Sequence, residues 1–348
     1  SHWPEPLVSA WGKPLLSPFR HGKAVTQMAH FLIINTGGTI GMVHGDRGLE
    51  PRAGEIEAAL SGQPALRDWQ QHQLSWHHWD PLLDSSDLQP THWYDLAATI
   101  RAHAHLAGVL IVHGTDTLAY TASALSYLLT DLSLPVVITG SMLPISAPDT
   151  DAIANLQLSL SALLAAKPEV VVALAGQLLP GSRVTKISTE LDNSFAAPGW
   201  HEQRWALPAN PQPMRIQKNW RPAAIGVLTL YPGIPMDGLM SMVDRFYRAI
   251  VINAFGNGNA AKDRALQRIL SKALEKGIPV FVRSQCLNGA VDFRLYAAGA
   301  VFDENGAVAC GAMPFEAVIT KLQILCSEFD SSEQVIAGFN QQFAREWQ

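Results

Sequence analysis

The stretch FLIINTGGT, residues 31–39, combines a short apolar run with a turn that contains two adjacent glycines and a threonine. The run has the length and side chains of a buried strand. Gly37 and Gly38 permit a close backbone approach, and Thr39 would display its hydroxyl at the end of the strand. An ordinary glycine turn with Thr39 as a helix cap would have the same sequence. The spacing therefore leaves open whether Thr39 has a functional or a structural role. The three spaced glycines of a dinucleotide-binding loop are absent.

Similar apolar runs recur along the chain and alternate with segments of helical periodicity. The predicted strands are residues 31–35, 108–112, 135–139 and 170–173. The predicted helices are residues 91–104, 117–129 and 151–166, the second with Thr115 or Asp116 as its N-cap. This alternation is typical of β-α-β units and predicts an α/β fold with a mainly parallel sheet flanked by helices.

Five prolines fall between residues 198 and 222, where they oppose regular central strands and indicate a linker. Beyond them, the predicted strands are residues 224–230, 249–252 and 278–282, and the predicted helices are residues 260–276 and 314–328. We predict a larger N-terminal α/β catalytic domain over 28–200, a linker over 201–222, and a smaller C-terminal α/β domain over 223–348. Residues 1–27 do not have the pattern of a secretory signal and are expected to be an extension before Met28.

Composition excludes several classes of protein. Hydrophobic residues make up 48% of the 348 residues and charged residues 16%, which excludes an intrinsically disordered chain. Twenty-five Lys and Arg against thirty Asp and Glu leave a net charge of -5, so nucleic acid is not an expected partner. The apolar runs are far shorter than the roughly 18 residues of a membrane span, so no membrane association is expected.

The cysteines and histidines predict neither a disulfide framework nor a metal site. Cys286, Cys310 and Cys326 are widely spaced and form no Cys-x-x-Cys pair, which fits a reducing, cytoplasmic compartment. His103 and His105 lie two residues apart on a predicted helix, where their side chains would point in different directions.

Parallel strands bring their carboxyl ends to one edge of a sheet, and ligands of open α/β sheets bind there. Two of the predicted strands run into hydroxyl-rich loops at that edge, Thr36–Thr39 and Gly114–Thr117 in sequence. Thr39 and Thr115 are therefore candidate functional hydroxyls.

Five motifs carry a family resemblance: NTGGTIGM (35–42), DSSDL (84–88), HGTDTLAYTASALS (113–126), ITGSMLP (138–144) and RVTK (183–186). In this order they resemble the bacterial-type L-asparaginases, especially the cytoplasmic type I branch. SQCLNG (284–289) and YAAG (296–299) also resemble that branch. The likeness extends from about residue 31 to the C-terminal helices, and five ordered motifs are far more specific than any one of them.

The resemblance implies a two-domain α/β enzyme that hydrolyses L-asparagine to L-aspartate and ammonia without a metal or organic cofactor. Thr39 matches the first catalytic threonine, Thr115 and Asp116 match the second threonine and its acid, and Lys186 matches the catalytic lysine. The family also implies a homo-oligomer, a dimer or a tetramer built as a dimer of dimers.

The resemblance further implies how the substrate is bound. Ser85 and Ser86 match the residues that hold the α-carboxylate and α-amino groups, to which Thr115 and Asp116 contribute. Ser141 matches the residue whose backbone carbonyl holds the carboxamide nitrogen.

The chemistry implied is that of an activated hydroxyl. A threonine becomes an effective nucleophile when a base takes its proton, and a desolvated lysine can be that base. Lys186, oriented by Asp116, is the candidate base for Thr115. Backbone N–H groups of Gly38 and Thr115 would stabilise the oxyanion, and one such donor is typically worth about 3 to 4 kcal/mol. Either threonine could form the β-aspartyl ester, and we favour Thr39.

Two positions depart from the type I pattern. Relatives place a tyrosine in the segment after the first threonine, whereas the matching stretch, residues 45–51, has Leu49, which cannot relay a proton. We expect the glycine-containing segment 43–51 to be a mobile loop. The run GNGN, residues 256–259, looks more like the type II branch, which makes Asn259 a candidate for contacting the substrate of a neighbouring subunit.

The type I likeness around Cys286 implies that a second asparagine binds near the subunit interface and regulates the site. A small buried side chain at a strand end explains Cys286 equally well.

Two other functions fit the same residues. The fold could act on glutamine or a tRNA-linked amide, although the negative net charge opposes tRNA. Alternatively, the chain could be a non-catalytic amino-acid-binding regulator that lost turnover through Leu49.

Overall fold

A computed structural model describes residues 27–190, 194–200 and 220–346. The chain divides near Ala197 into two compact units. The extension predicted for residues 1–27 and the linker predicted for 201–222 lie almost entirely outside the described residues. The two-domain α/β architecture predicted from the sequence is confirmed.

The first unit contains a six-stranded sheet in the order β4-β1-β5-β6-β7-β8. Its strands are β1 (His30–Gly37), β2 (Met42–Gly45), β3 (Gly48–Pro51), β4 (Gln73–Leu83), β5 (Gly108–Val112), β6 (Val136–Thr139), β7 (Val170–Leu174), β8 (Gln177–Pro180), β9 (Thr185–Lys186) and β10 (Phe195–Ala196). Its helices are α1 (Glu55–Gly62), α2 (Pro90–Ala102), α3 (Leu118–Leu128) and α4 (Ala152–Leu164). Only β8 runs antiparallel in the large sheet, while β2–β3 and β9–β10 form separate hairpin pairs.

The direction of chain progression reverses between β1 and β5. After β1 the chain forms β4 on one side, and from β5 onward it adds strands on the other. Such a reversal makes the loops at the carboxyl ends of the two strands diverge, and the crevice between them is the usual ligand site of an open α/β sheet. The loops with Thr39 and Thr115 begin there.

Burial on both faces explains why the central strands are continuous apolar runs. All of the residues from Phe31 to Asn35 and all of β5 are buried. Phe31 and Ile33 join a cluster that includes Trp69 and Leu156 on one side of the sheet.

Strand β4 was not predicted because it is an edge strand. It pairs with β1 alone in the sheet, and its side chains are exposed or half-buried throughout. Its sequence, QLSWHHWDPLL, is accordingly mixed rather than apolar. The sequence predictions relied on continuous apolar runs, and β4 contains none.

Two local predictions were wrong. The N-cap of α3 is Thr117, not Thr115 or Asp116, and no side chain caps this helix end. The segment expected to be a loop after Thr39 forms the β2–β3 hairpin, in which His44 pairs with Leu49.

The second unit contains a parallel four-stranded sheet in the order β11-β12-β13-β14. Its strands are β11 (Ile225–Thr229), β12 (Ala249–Ala254), β13 (Val280–Ser284) and β14 (Val308–Ala309). Its helices are α5 (Asp237–Asp244), α6 (Arg264–Glu275), α7 (Ala300–Glu304), α8 (Phe315–Glu328) and α9 (Ser332–Asn340). The predicted strands and helices of this half are confirmed, although α6 begins at Arg264, four residues later than predicted.

Candidate functional site

Four loops leave the carboxyl ends of the neighbouring parallel strands β4, β1, β5 and β6. Glycines allow their backbones to touch. A methyl group added at Gly38 would lie 2.6 Å from the Cα of Gly114, and one at Gly114 would lie 2.7 Å from the hydroxyl oxygen of Ser85. Both distances are too short for any side chain other than hydrogen, so three of these loops meet at Gly114.

The fourth loop approaches from β6. A methyl group at Gly140 would lie 2.3 Å from the carbonyl oxygen of His113 and 3.6 Å from the side-chain methyl of Thr115. The Ile145 N–H also donates to the Ile40 carbonyl at 2.9 Å, which ties this loop to the one that carries Thr39. Thr39, Ser85, Thr115 and Ser141, all proposed from the sequence, therefore lie on adjoining loops.

Lys186 joins the hydroxyl and the carboxylate proposed from the sequence. Its Nζ donates to the Thr115 hydroxyl at 3.0 Å and to the Asp116 carboxylate at 2.7 Å. The Lys186 side chain is 18% exposed and that of Asp116 is 63% exposed. Pairing with Phe195 in the short β9–β10 hairpin holds the backbone of Lys186. The arrangement provides one ammonium group that can exchange a proton with a threonine at the mouth of the site.

Thr39 begins a single turn of 3₁₀ helix that follows β1, and it is half-buried. The turn is entered through Gly37 and Gly38, with φ angles of 122° and 95°, which favour glycine. The Arg52 N–H donates to the Gly41 carbonyl at 3.0 Å and fastens the end of the turn to the hairpin.

The serines after β4 differ in exposure. Ser85 is 4% exposed, and its carbonyl accepts a hydrogen bond from the Thr117 hydroxyl at 2.6 Å. Thr117 thus binds the neighbouring loop instead of capping its own helix. Ser86 is exposed, and its N–H donates to the Asp84 carboxylate at 2.8 Å. Of the two serines, Ser86 is therefore the one with an exposed side chain, since Ser85 faces Gly114.

Ser141 is 2% exposed, and its hydroxyl donates to the Leu143 carbonyl. Its side chain is therefore occupied within its own loop. The backbone of this residue remains the part that could meet a ligand.

His113 is a site residue that the sequence analysis missed. It is fully buried, its Nδ1 lies 2.6 Å from the Gly114 carbonyl, and its Nε2 lies 2.8 Å from the Thr121 hydroxyl. Because a carbonyl only accepts, Nδ1 carries the proton and Thr121 donates to Nε2. Burial lowers the pKa of His113 to about 4, so the imidazole is neutral. The sequence contains one signal that could have identified His113, because it is a polar residue directly after the apolar strand GVLIV.

Leu49 lies on β3 and its side chain is 42% exposed. The hairpin pairs it with His44, which is also exposed. Among the described residues, no hydrogen bond joins this hairpin to the Thr39 hydroxyl.

Asn259 and Cys286 lie in the second unit on turns that are linked to each other. The Asn259 N–H donates to the Phe255 carbonyl at 2.7 Å, and the Ser284 hydroxyl donates to the Gly256 carbonyl at 2.5 Å. The Cys286 N–H donates in turn to the Ser284 hydroxyl at 2.9 Å. Cys286 is exposed, so its interpretation as a small buried side chain is wrong.

Among the described residues, no group of three His, Cys, Asp or Glu side chains is placed to hold a metal ion. The expected directions of His103 and His105 were wrong. Helix α2 ends at Ala102, and the two rings stack beyond it with centroids 6.3 Å apart.

Comparisons with known proteins agree along most of the chain. The family model described as "Asparaginase, N-terminal" matches residues 30–206, and "Glutaminase/Asparaginase C-terminal domain" matches residues 224–339. L-asparaginase 1 of Escherichia coli (strain K12) is 34% identical over 330 residues, which cover 90% of this chain and 97% of that protein.

Two solved structures are similar over almost the whole chain. The crystal structure of L-asparaginase I from Vibrio cholerae has a TM-score of 0.79 and 32% identity, and covers 92% of this chain and 99% of its own. The thermostable L-asparaginase from Thermococcus kodakarensis has a TM-score of 0.80 and 28% identity with the same coverage. Across the described part of the chain, no helix is both long and apolar enough to cross a bilayer.

Proposed function

Because the chain belongs to the asparaginase family, we propose that it hydrolyses the side-chain amide of L-asparagine to give L-aspartate and ammonia. The observation that carries this function is the contact of the Lys186 ammonium with the Thr115 hydroxyl and the Asp116 carboxylate, on a loop adjoining that of Thr39. A hydroxyl with a paired amine is the arrangement that nucleophilic amide hydrolysis requires.

Thr39 is the proposed nucleophile. Its oxygen bonds to the carboxamide carbon, the C–N bond breaks, and the hydroxyl proton ends on the departing ammonia. Water then attacks the β-aspartyl ester, gives its proton back to Thr39, and releases aspartate. The Thr115–Lys186 pair moves these protons, and the N–H groups of Gly38 and Thr115 stabilise the oxyanion in both steps.

In this proposal Ser85, Ser86 and Asp116 bind the two α-groups of asparagine, and the Ser141 carbonyl accepts from the carboxamide nitrogen. The contact between Gly114 and Ser85 supports it, because it brings the two groups of residues to one place. No metal or organic cofactor takes part.

Ammonia release from asparagine is the direct test. Thr39→Ala and Thr115→Val should each abolish it and leave folding intact, because each removes a hydroxyl from a half-buried position. Thr320→Val is the matched control, since its hydroxyl bonds only within α8 in the second unit. Substantial activity in both site variants would refute the assignment of either threonine.

Glutamine is the second candidate substrate, because the C-terminal family is named for glutaminases as well as asparaginases. The ratio of kcat/KM for asparagine and glutamine decides between them. A chain that binds asparagine but releases no ammonia would instead support a non-catalytic regulator.

A homo-oligomer, either a dimer or a dimer of dimers, is proposed for the assembled enzyme, with Asn259 reaching the substrate of a neighbouring subunit. The exposed side chains of Leu287, Leu295 and Tyr296, each between 57% and 59% exposed, support a contact surface on the second unit. A fully active monomer in light scattering would contradict this.

The cytoplasm is the proposed location, since all three cysteines are free and one of them, Cys286, is exposed. Cys286 is also the proposed marker of a regulatory asparagine site. Sigmoidal kinetics that become hyperbolic in a Cys286→Ala variant would support this regulation, and hyperbolic kinetics of the intact chain would exclude it.

A further inference from the structure

The peptide groups on either side of Ser141 are both held by residues at the start of α4. The carboxylate of Asp151 accepts from the Met142 N–H, at 2.9 Å from Oδ2 and 3.1 Å from Oδ1, and from the Leu143 N–H at 3.1 Å. Asn155, one helical turn later, donates from Nδ2 to the Gly140 carbonyl at 3.0 Å.

The Asp151 contact determines where the Ser141 carbonyl points. A peptide group is planar and trans, so its C=O and N–H project in opposite directions. Since the Met142 N–H points at Asp151, the Ser141 carbonyl in the same peptide group points away from that carboxylate. Rotation of this peptide would break two hydrogen bonds to a charged acceptor.

Asn155 holds the preceding peptide in the same manner. It is 2% exposed, and its Nδ2 also lies 3.3 Å from Oδ2 of Asp151. Its Oδ1 accepts from the Ala175 N–H at 3.1 Å, in the turn after β7 where Ala175 has a φ of 49°. The two side chains therefore form one connected clamp on the loop.

Helix capping does not explain the hydrogen bonds of the Asp151 side chain. It occupies the N-cap position of α4, yet its carboxylate makes no capping hydrogen bond. The Ala152 N–H donates instead to the Thr150 hydroxyl at 3.1 Å. The carboxylate of Asp151 instead accepts from the loop that carries Ser141 and from the Asn155 amide.

We propose that Asp151 and Asn155 are positioning residues that aim the Ser141 carbonyl at the carboxamide nitrogen of the substrate. This rests on the proposed function, in which that carbonyl accepts from the amide. It assigns to the clamp a specific role in recognising an N–H donor, beyond general support of the fold.

An ester substrate tests this role, because L-aspartate β-methyl ester has no N–H to donate to Ser141. Both substrates pass through the same acyl chemistry and release ammonia or methanol. In Asp151→Ala, kcat/KM for asparagine should fall about 10- to 100-fold, the range expected for a lost hydrogen bond and a misplaced acceptor. The value for the ester should fall by less than about threefold, because the oxyanion donors and nucleophile are untouched.

Two further variants keep the test decisive. Asp151→Asn retains one acceptor oxygen and should lie between the intact protein and Asp151→Ala, and it replaces the alanine variant if that fails to fold. Ser159→Ala removes a buried hydroxyl on the same helix that bonds only to the Asn155 carbonyl, and it should leave the ratio of the two substrates unchanged.

Equal losses for both substrates would overturn the clamp and indicate a purely structural role. An unchanged asparagine rate in Asp151→Ala would overturn it as well. Failure of the proposed function looks different, since the intact protein would then hydrolyse neither substrate.

Discussion

Two lysine–carboxylate pairs in this protein have nearly the same length and opposite surroundings. Lys186 lies 2.7 Å from Asp116 with side chains 18% and 63% exposed, whereas Lys321 lies 2.9 Å from Glu346 with both side chains 0% exposed. The first pair joins β9 to the loop after β5 in the first unit, and the second joins α8 to the segment after α9 in the other unit.

Their remaining partners explain the difference. Lys321 also donates to the carbonyls of Phe339 and Gln341, and Glu346 accepts from the N–H groups of Phe343 and Ala344. Such complete pairing is what a buried ion pair needs to offset its desolvation. Lys186 instead contacts a single neutral hydroxyl and an exposed carboxylate, and it remains partly open to solvent. Burial and partner chemistry, rather than distance, distinguish the two ion pairs.

Lys186→Met should give the largest effect on activity. We expect asparagine hydrolysis to fall about 10²- to 10⁴-fold, because proton transfer through Thr115 is lost. The free energy of unfolding should change by less than about 1 kcal/mol, since exposed ion pairs contribute little. Steady-state kinetics measure the loss of activity, and urea unfolding measures the change in the free energy of unfolding. The double variant with Thr115→Val should be little worse than either single variant, and additive losses would show that the two residues act separately.

Lys321→Met should give the opposite pattern. Removing one partner leaves Glu346 buried without its cation, which costs about 3 to 5 kcal/mol of unfolding free energy. The specific activity of the folded fraction should not change. Lys272→Met is the matched control in the same unit, because Lys272 lies 2.7 Å from Asp244 with both side chains more than 40% exposed. Equal destabilisation by the two variants would contradict the role of burial.

His113 extends the comparison to a buried basic group whose hydrogen-bonding partners are neutral. Its pKa is lowered to about 4 by burial from an ordinary value of 6.5, so the unfolded state binds more protons between those values. Stability is therefore fully present above pH 6.5 and is lost as the pH falls toward 4, by roughly 3 kcal/mol for this group.

Urea unfolding between pH 7 and pH 4.5 measures this dependence. His113→Gln should show a shallower loss of stability over the same pH window, because glutamine does not titrate and only the contribution of the carboxylates remains. Identical slopes for the two proteins would show that His113 titrates normally.

Leu49→Tyr should have the smallest effect. If the Lys186 pair already moves the proton of Thr39, an added phenol at this exposed hairpin position should leave kcat unchanged within about threefold or lower it. Assays of kcat against pH test this, with Leu49→Phe as the control for size. A large gain specific to tyrosine would show that the intact chain lacks a proton relay.

Sequence reasoning succeeded where a strand was buried on both faces and where a helix was long. Strand β5 was predicted at its observed bounds, since all five of its residues are buried and apolar. It failed at β4, at the hairpin that carries Leu49, and at the cap of α3. In those places the conformation depends on contacts with one neighbouring element. The alternation of polar and apolar residues does not show which element that is.

The α/β class, the two-unit organisation and the loops on which the candidate hydroxyls lie could all be predicted from the amino-acid sequence. The periodicity of apolar residues indicates which side chains are buried, and glycines indicate where the backbone turns sharply or two backbones come into contact. Three features became visible in the folded chain: Lys186 meets Thr115 across 71 residues, His113 is buried and neutral, and Asp151 holds the loop of Ser141 instead of capping its helix. These facts depend on which distant segments fold against each other, and a local pattern cannot specify the partner that a polar side chain finds there.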